Sequence, residues 1–274
     1  MARVQTALLA GSRWRAWEPV VWLLAFAAPW LASKHALIVN EVAIMALFAL
    51  SLDLILGYAG IVSLGHAAFL GFGAYAAALF AKHVMPDPVL GLLAATAAAT
   101  ALGALCSLTI LRGTDLTRLM VTLGIALILM ELANKLDWLT GGSDGMQGLA
   151  FGPLFGRFEF DMLGQTAAWY SLVVVLAIFL LLRRLVHSPF GATLMAIRDN
   201  RLRAMAIGIP VASHLAVAYT IAAGIAGAAG ALMAQTTGFV SLDVFALERS
   251  ADVLLVLVLG GSGWLYGGLA GAVV

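Results

Sequence analysis

The sequence has little of what a water-soluble protein shows to solvent. Only 11% of its 274 residues are charged, whereas 63% are hydrophobic and the mean hydropathy is +1.03. A chain with so few polar groups cannot cover a sizeable soluble domain, so the composition predicts that it resides in a bilayer. The net charge of +1 leaves no basic surface for nucleic acid, and no nucleic-acid partner is predicted.

Groups that bind metals or phosphates are also scarce. Cys106 is the single cysteine, which excludes an internal disulfide and a cysteine-based zinc site. The five histidines show no H-E-x-x-H or other close ligand spacing, so no metal is predicted. None of the three lysines follows a glycine, so the phosphate-binding motif G-x-x-x-x-G-K-[ST] is missing. We therefore expect no cofactor in this chain, and any ATP that drives it must bind to another chain.

An enzymatic function is not predicted either. Residues 141–145 fit G-x-S-x-G, but a nucleophile elbow requires a strand before the serine and a helix after it. Here the motif falls in a predicted external loop between two helices. A chance match is the better interpretation, and we expect the chain not to be an enzyme.

Eight continuously apolar runs approach the length of about 20 helical residues that crosses a bilayer. They lack the alternation of membrane strands, so helices are the expected element. The sequence therefore predicts an all-α, polytopic membrane helical bundle of about eight spans, with a range of seven to nine, in a single transmembrane domain over residues 1–274. The runs are 18–33, 36–57, 60–82, 88–111, 117–139, 166–186, 213–237 and 250–274.

Lys and Arg are distributed unevenly between the two sides of this predicted bundle. With a cytoplasmic N-terminus, ten of them face the cytoplasm and five face outward, as the positive-inside rule requires. The inner ten are Arg3, Arg13, Arg15, Arg112, Arg118, Arg183, Arg184, Arg198, Arg201 and Arg203. The outer five are Lys34, Lys82, Lys135, Arg157 and Arg249.

Three of the runs differ from a plain span. The third begins in the glycine-rich stretch 57–60 and is predicted to be broken or re-entrant. The first follows basic residues and contains Pro29, so a cleaved signal peptide is an alternative to an uncleaved first helix. The last reaches Val274 with no Lys or Arg after it, from which we expect a truncated chain that stops at or within a helix.

The longest polar stretch on the predicted cytoplasmic side covers about residues 188–213. Within it, Thr193 to Ile209 is predicted to form one amphipathic helix that ends at Gly208 and Pro210. Its apolar face would consist of Leu194, Ile197, Leu202, Met205 and Ile209. Two interpretations remain open on physical grounds: a helix lying among lipid headgroups, or a docking helix for a cytoplasmic protein.

Small residues and a few ionisable groups stand out within the spans. Glycines such as Gly224, Gly227 and Gly230 predict close helix packing, and a minority could leave backbone groups free along a solute path. The candidates for such a path are Ser63, Gly65, His66 and Gly71. Charge within a membrane is costly, so each further ionisable residue is a functional hypothesis; these are Glu41, Asp53, Glu131 and Asp252.

Four ordered blocks carry a family resemblance. Residues 57–69 (GYAGIVSLGHAAF), 140–145 (TGGSDG), 188–191 (SPFG) with 196–200 (AIRDN), and 260–263 (GGSG) closely resemble LivM-type permeases. These are membrane subunits of the ABC importers for branched-chain amino acids. The blocks extend over most of the chain, which makes the resemblance specific.

The resemblance implies a function, partners and a location. The chain would be a permease for branched-chain or related hydrophobic amino acids in the bacterial cytoplasmic membrane. It would work with a LivH-type second permease, two ABC ATPase subunits and an extracytoplasmic solute-binding protein. Residues 188–210 would be the helix that couples to the ATPase, through Arg198, Asp199, Asn200, Arg201, Ala204 and Gly208. Two rivals remain: a similar permease for urea or short amides, and an ion-coupled secondary transporter.

Overall fold

A computed structural model describes residues 17–274 except 32, 112, 114, 155 and 162. Helices dominate this part of the chain, and it contains no strand, only two isolated β-bridges. In chain order the α-helices are α1 (Glu18–Leu31), α2 (Ala36–Asp53), α3 (Ala67–His83), α4 (Pro88–Ile110), α5 (Asp115–Lys135), α6 (Asp137–Thr140), α7 (Gln165–Val186), α8 (Pro189–Asp199), α9 (Arg201–Ala206), α10 (Val211–Thr237), α11 (Leu247–Gly260) and α12 (Leu265–Val273). Helix α2 continues as a π-helix over Leu54–Tyr58.

The predicted polytopic helical bundle is confirmed. Five helices are long and apolar enough to cross a membrane: α2 with its π-helical end, α4, α5, α7 and α10. Helices α11 and α12 form a sixth candidate span, bent by 109°. The first and third predicted runs also contain helices, but α1 has 14 residues and α3 has 17, both below that length.

The third run is broken, as predicted, because its helix begins only at Ala67. Residues 59–66, which follow the π-helical end of α2, have neither helical nor strand structure, although they lie within the bundle. The break in the last run, between Gly260 and Leu265, was not predicted. Both breaks fall in glycine-rich stretches, where positive φ values occur at Gly60, Gly261 and Gly263.

Helix α10 lies at the centre of the bundle and packs against α3, α4 and α2. A Cβ atom at Gly227 would lie 2.2 Å from the Cβ of Ala99 in α4. A Cβ atom at Gly230 would lie 1.9 Å from the carbonyl oxygen of Leu70 in α3. The packing interpretation of these glycines is therefore confirmed, since any larger residue would push the helix backbones apart.

Helices α4 and α5 have the opposite character and expose their large apolar side chains. Leu105, Leu108, Met120 and Ile128 are each more than 60% exposed. In a bilayer such a surface faces lipid or another membrane protein.

The predicted single helix from Thr193 to Ile209 is wrong. Helix α8 already begins at Pro189, and the chain leaves helical geometry at Asn200, where φ is −158° and ψ is 98°. The break reorients α9, so Leu194 is fully buried whereas Leu202 is 75% exposed. The five apolar residues therefore do not form one continuous face.

Of the basic residues used for the orientation, Arg3, Arg13, Arg15 and Arg112 lie outside the described residues.

Candidate functional site

The irregular segment 59–66 brings polar side chains into the interior of the bundle. Ser63 and His66 are each 1% exposed. Irregular backbone at membrane depth is tolerated only where it is buried in protein or lines a cavity. The segment is thus the natural place to look for a path through this chain.

His66 has a defined setting at the end of this segment. Its ring stacks on Phe48, with centroids 5.5 Å apart, and its Nε2 lies 2.8 Å from the Ser51 hydroxyl. Because that hydroxyl donates its single proton to the Phe48 carbonyl oxygen, Nε2–H of His66 must be the donor to Ser51.

Three buried polar atoms near this segment lack a hydrogen-bond partner among the described residues. They are Nδ1 of His66, the hydroxyl of Ser63 and the hydroxyl of Tyr219 in α10. The hydroxyls of Ser63 and Tyr219 are neighbours but do not meet hydrogen-bond geometry. Buried polar groups are normally satisfied, so these atoms are candidates to contact a polar solute or water.

The two predicted path glycines sit at close helix contacts. A Cβ atom at Gly65 would lie 1.9 Å from the carbonyl oxygen of Thr122 in α5. A Cβ atom at Gly71 would lie 2.5 Å from the ring of Phe245. Both positions therefore require a small residue for packing, and their role in a solute path stays a prediction.

A second group of contacts joins α8 to both helix breaks. The guanidinium of Arg198 donates to the carbonyl oxygen of Gly57, at the end of the π-helix. The backbone N–H of Gly263, in the break between α11 and α12, donates to Oδ1 of Asp53 at 2.7 Å. We call these four residues the Arg198 junction.

Glycine is required on both sides of this junction. A Cβ atom at Gly57 would lie 2.1 Å from Oδ1 of Asp53 and 2.4 Å from the backbone nitrogen of Gly263. Gly263 itself has a φ of +81°. The junction therefore explains in physical terms why small residues occur in both segments.

The other residues predicted to contact an ATPase divide into exposed and structural ones. Asp199 and Arg201 are exposed, on either side of Asn200 at the break between α8 and α9. The side chain of Asn200 caps α9 by accepting a hydrogen bond from the backbone N–H of Arg203 at 2.9 Å. Ala204 is buried, and Gly208 has a φ of +85° with open space around it. These contacts do not test the docking role, which stays a prediction.

Sequence reasoning identified Asp53 only as an ionisable residue within a span and missed its partners. It also missed the buried ion pair between Glu18 in α1 and Arg183 in α7. The signal for both was the presence of charge next to long apolar runs, which demands a partner. The sequence does not say which residue that partner is.

The described residues contain neither a candidate metal cluster nor the strand–turn–helix context of a nucleophile elbow. No group of three or more His, Cys, Asp or Glu residues there could hold a metal ion. Residues 142–144 form a 3₁₀ turn after the short helix α6, so the G-x-S-x-G sequence lacks the strand that a nucleophile elbow requires.

Comparisons with known proteins agree on one family. Residues 36–274 match the family described as branched-chain amino acid transport system / permease component. The chain is 30% identical, over 88% of its length, to the high-affinity branched-chain amino acid transport system permease protein LivM of Escherichia coli K12. It is 29% identical, over 92% of its length, to the LivM protein of Salmonella typhimurium LT2.

The chain spans 62% and 64% of the lengths of these two relatives. A weaker similarity, 31% identity over 55% of this chain and 42% of the relative, links it to the autoinducer 2 import system permease protein LsrC of Salmonella typhi. No solved structure matches the chain. The family match covers most of the sequence, and the chain therefore belongs to the family of branched-chain amino acid transport system permease components.

Proposed function

We propose that this chain is a membrane-spanning permease subunit of an ABC importer for branched-chain or related hydrophobic amino acids. The observation that carries the proposal is the Arg198 junction. It ties α8 directly to the π-helical end of α2, where the break before α3 begins. Helix α8 carries exposed charges on one side and anchors a buried irregular segment on the other. Such a helix is suited to transmit a conformational change from a docked protein to the interior of the bundle. The family membership supports the same function.

In this mechanism the chain switches between two arrangements of its helices. The ATPase subunits bind the exposed residues of α8 and α9 more tightly in one of these arrangements. When they close around ATP, they therefore shift the equilibrium between the two arrangements. The Arg198 junction carries that shift to residues 59–66 and to the break between α11 and α12. The solute then passes along a path that includes Ser63 and His66, while the chain itself makes and breaks no covalent bond.

The proposal includes the partners and the orientation. A LivH-type second permease would complete the path, two ATPase subunits would dock at α8 and α9, and an extracytoplasmic binding protein would deliver the solute. The N-terminus and α8 would face the cytoplasm of a bacterium, in its inner membrane. The uneven distribution of Lys and Arg supports this orientation.

Uptake into proteoliposomes tests the proposal. The complete complex, with both permeases, both ATPase subunits and the binding protein, is reconstituted and supplied with labelled leucine. We expect accumulation only with ATP on the ATPase side. Accumulation driven by an ion gradient alone would contradict the ABC mechanism, and uptake of urea or a short amide in place of leucine would contradict the proposed substrate.

A further inference from the structure

A cavity of about 280 Å³ opens at the end of the bundle opposite α8. It lies where α2 and α11 begin and α10 ends. Its volume is just below the range of about 300–1,000 Å³ that is usual for drug-sized ligands, so it suits a smaller molecule. It belongs neither to the Arg198 junction nor to the irregular segment.

Two opposite charges from different helices line this cavity: Glu41 of α2 and Arg249 of α11. Neither forms an ion pair or a side-chain hydrogen bond with any residue in the described ranges. Arg249 is only partly exposed, so its charge has lost part of its hydration without gaining a protein partner. Glu41 is exposed, and both charges are available to a ligand.

The other polar residues of the cavity already have partners. Asn40 donates from Nδ2 to the Thr236 hydroxyl at 3.0 Å, and its Oδ1 accepts from Ser171 at 2.6 Å. The Thr236 hydroxyl donates to the carbonyl oxygen of Leu232 at 2.9 Å. These residues hold α2, α7 and α10 together and leave recognition of a charged ligand to Glu41 and Arg249.

The rest of the cavity wall is apolar. It is lined by Leu37, Ile44, Met45, Phe48, Leu70 and Met233. Phe48 follows Glu41 by seven residues, which places it about 10 Å further along α2. A ligand whose charged groups are held by Glu41 and Arg249 would therefore direct an apolar group toward Phe48.

We propose that this cavity is a binding site for a small zwitterion with an aliphatic side chain, in which Glu41 binds the ammonium group and Arg249 binds the carboxylate. The inference rests on the proposed function for its choice of an α-amino acid, and it adds a site within this chain. Phe48 lines the cavity and stacks on His66, so the site adjoins the irregular segment 59–66. The solute would bind at this site before it enters the path, and the site takes no part in the coupling to the ATPase.

Cysteine labelling tests the site directly, because Cys106 is the single cysteine of the chain. In a Cys106→Ala background, Thr237→Cys places a thiol in the cavity wall. The complete complex in nanodiscs of phosphatidylcholine is labelled with a maleimide in the presence of leucine, 3-methylbutylamine, 4-methylpentanoate or phosphoethanolamine. At occupancy of about 90%, leucine should slow labelling about tenfold, whereas the two analogues that lack one charge should protect far less.

Charge variants identify the binding groups. Glu41→Gln and Arg249→Gln should each raise the half-protecting leucine concentration about tenfold or more, since each removes one charge-assisted contact. Glu41→Asp and Arg249→Lys should recover part of the protection, which separates charge from folding. The matched controls Glu131→Gln and Arg157→Gln, which lie outside the cavity, should leave protection unchanged.

The outcomes separate this inference from the proposed function. ATP-driven leucine uptake without leucine protection of Thr237→Cys would overturn the site and leave the function standing. Protection that depends on both charges without ATP-driven uptake would support the site and contradict the function. Protection by phosphoethanolamine but not by leucine would assign the cavity to a lipid headgroup and overturn the inference.

Discussion

The guanidinium of Arg198 donates to the carbonyl oxygen of Gly57, a residue 141 positions earlier in the chain. This contact places α8 against the last turn of the π-helix that ends α2. The same turn region receives the break between α11 and α12 through Asp53 and Gly263. Three segments that are distant in sequence thus meet at one point, next to the exposed residues of α8.

Arg198 should matter for transport more than for ATPase docking. Arg198→Ala removes the link between α8 and Gly57. We therefore expect ATP-driven leucine uptake to fall by about 5–150-fold, the factor that corresponds to a typical coupling free energy. Co-purification of the ATPase should persist, because exposed Asp199 remains. Arg201→Ala should show the reverse order of effects, with loss of the ATPase first. Equal effects of the two variants in both assays would contradict the division of roles.

Asp53 should stabilise the fold through an oxygen atom rather than through its charge. Asp53→Ala leaves the backbone N–H of Gly263 without its acceptor in a partly buried position, which costs about 1 kcal/mol of unfolding free energy. Asp53→Asn keeps an oxygen that can accept the same hydrogen bond and should cost less. Thermal denaturation in detergent compares the two variants. An equal loss for Asp53→Asn and Asp53→Ala would show that the acceptor oxygen alone is not enough and that the carboxylate charge is needed.

Gly230 and Gly124 form a matched pair of helix glycines. At Gly230 a methyl group would collide with the backbone of Leu70, and overpacking of this kind costs about 1–3 kcal/mol or more. At Gly124 nothing lies within 4 Å, so alanine should be neutral or stabilise α5 by up to about 1 kcal/mol. Yield and melting temperature of Gly230→Ala and Gly124→Ala measure the difference. Similar behaviour of both variants would mean that α10 does not pack on α3 as described.

Ser63 should be dispensable for stability but not for transport. Its hydroxyl has no hydrogen-bond partner among the described residues, so Ser63→Ala should not lower the melting temperature. If the hydroxyl contacts the solute, loss of a hydrogen bond of about 1–1.5 kcal/mol slows uptake by up to about tenfold. Uptake and thermal unfolding are measured on the same preparation. Unchanged uptake with a stable protein would remove Ser63 from the path.

The helical bundle could be predicted because long apolar runs admit one structure in a bilayer. The break before Ala67 was also predictable from its glycines. The Arg198 junction was not, because it joins side chains to backbone atoms, and any residue type supplies those atoms. The break at Asn200 had a local signal, an asparagine that caps a helix starting at the next residue, which the apolar periodicity on both sides concealed.

The cavity lined by Glu41 and Arg249 illustrates a different limit. Glu41 was recognisable as a charge within an apolar run, but Arg249 was assigned to the outer surface by the distribution of charges. Their placement in one cavity depends on how α2 and α11 pack around α10. Neither sequence segment contains that information alone.

The buried pair of Glu18 and Arg183 has a consequence for how the protein is made. The two residues are 165 positions apart, so Glu18 is synthesised long before its partner. The contact between α1 and α7 through this pair can therefore form only after α7 has been synthesised.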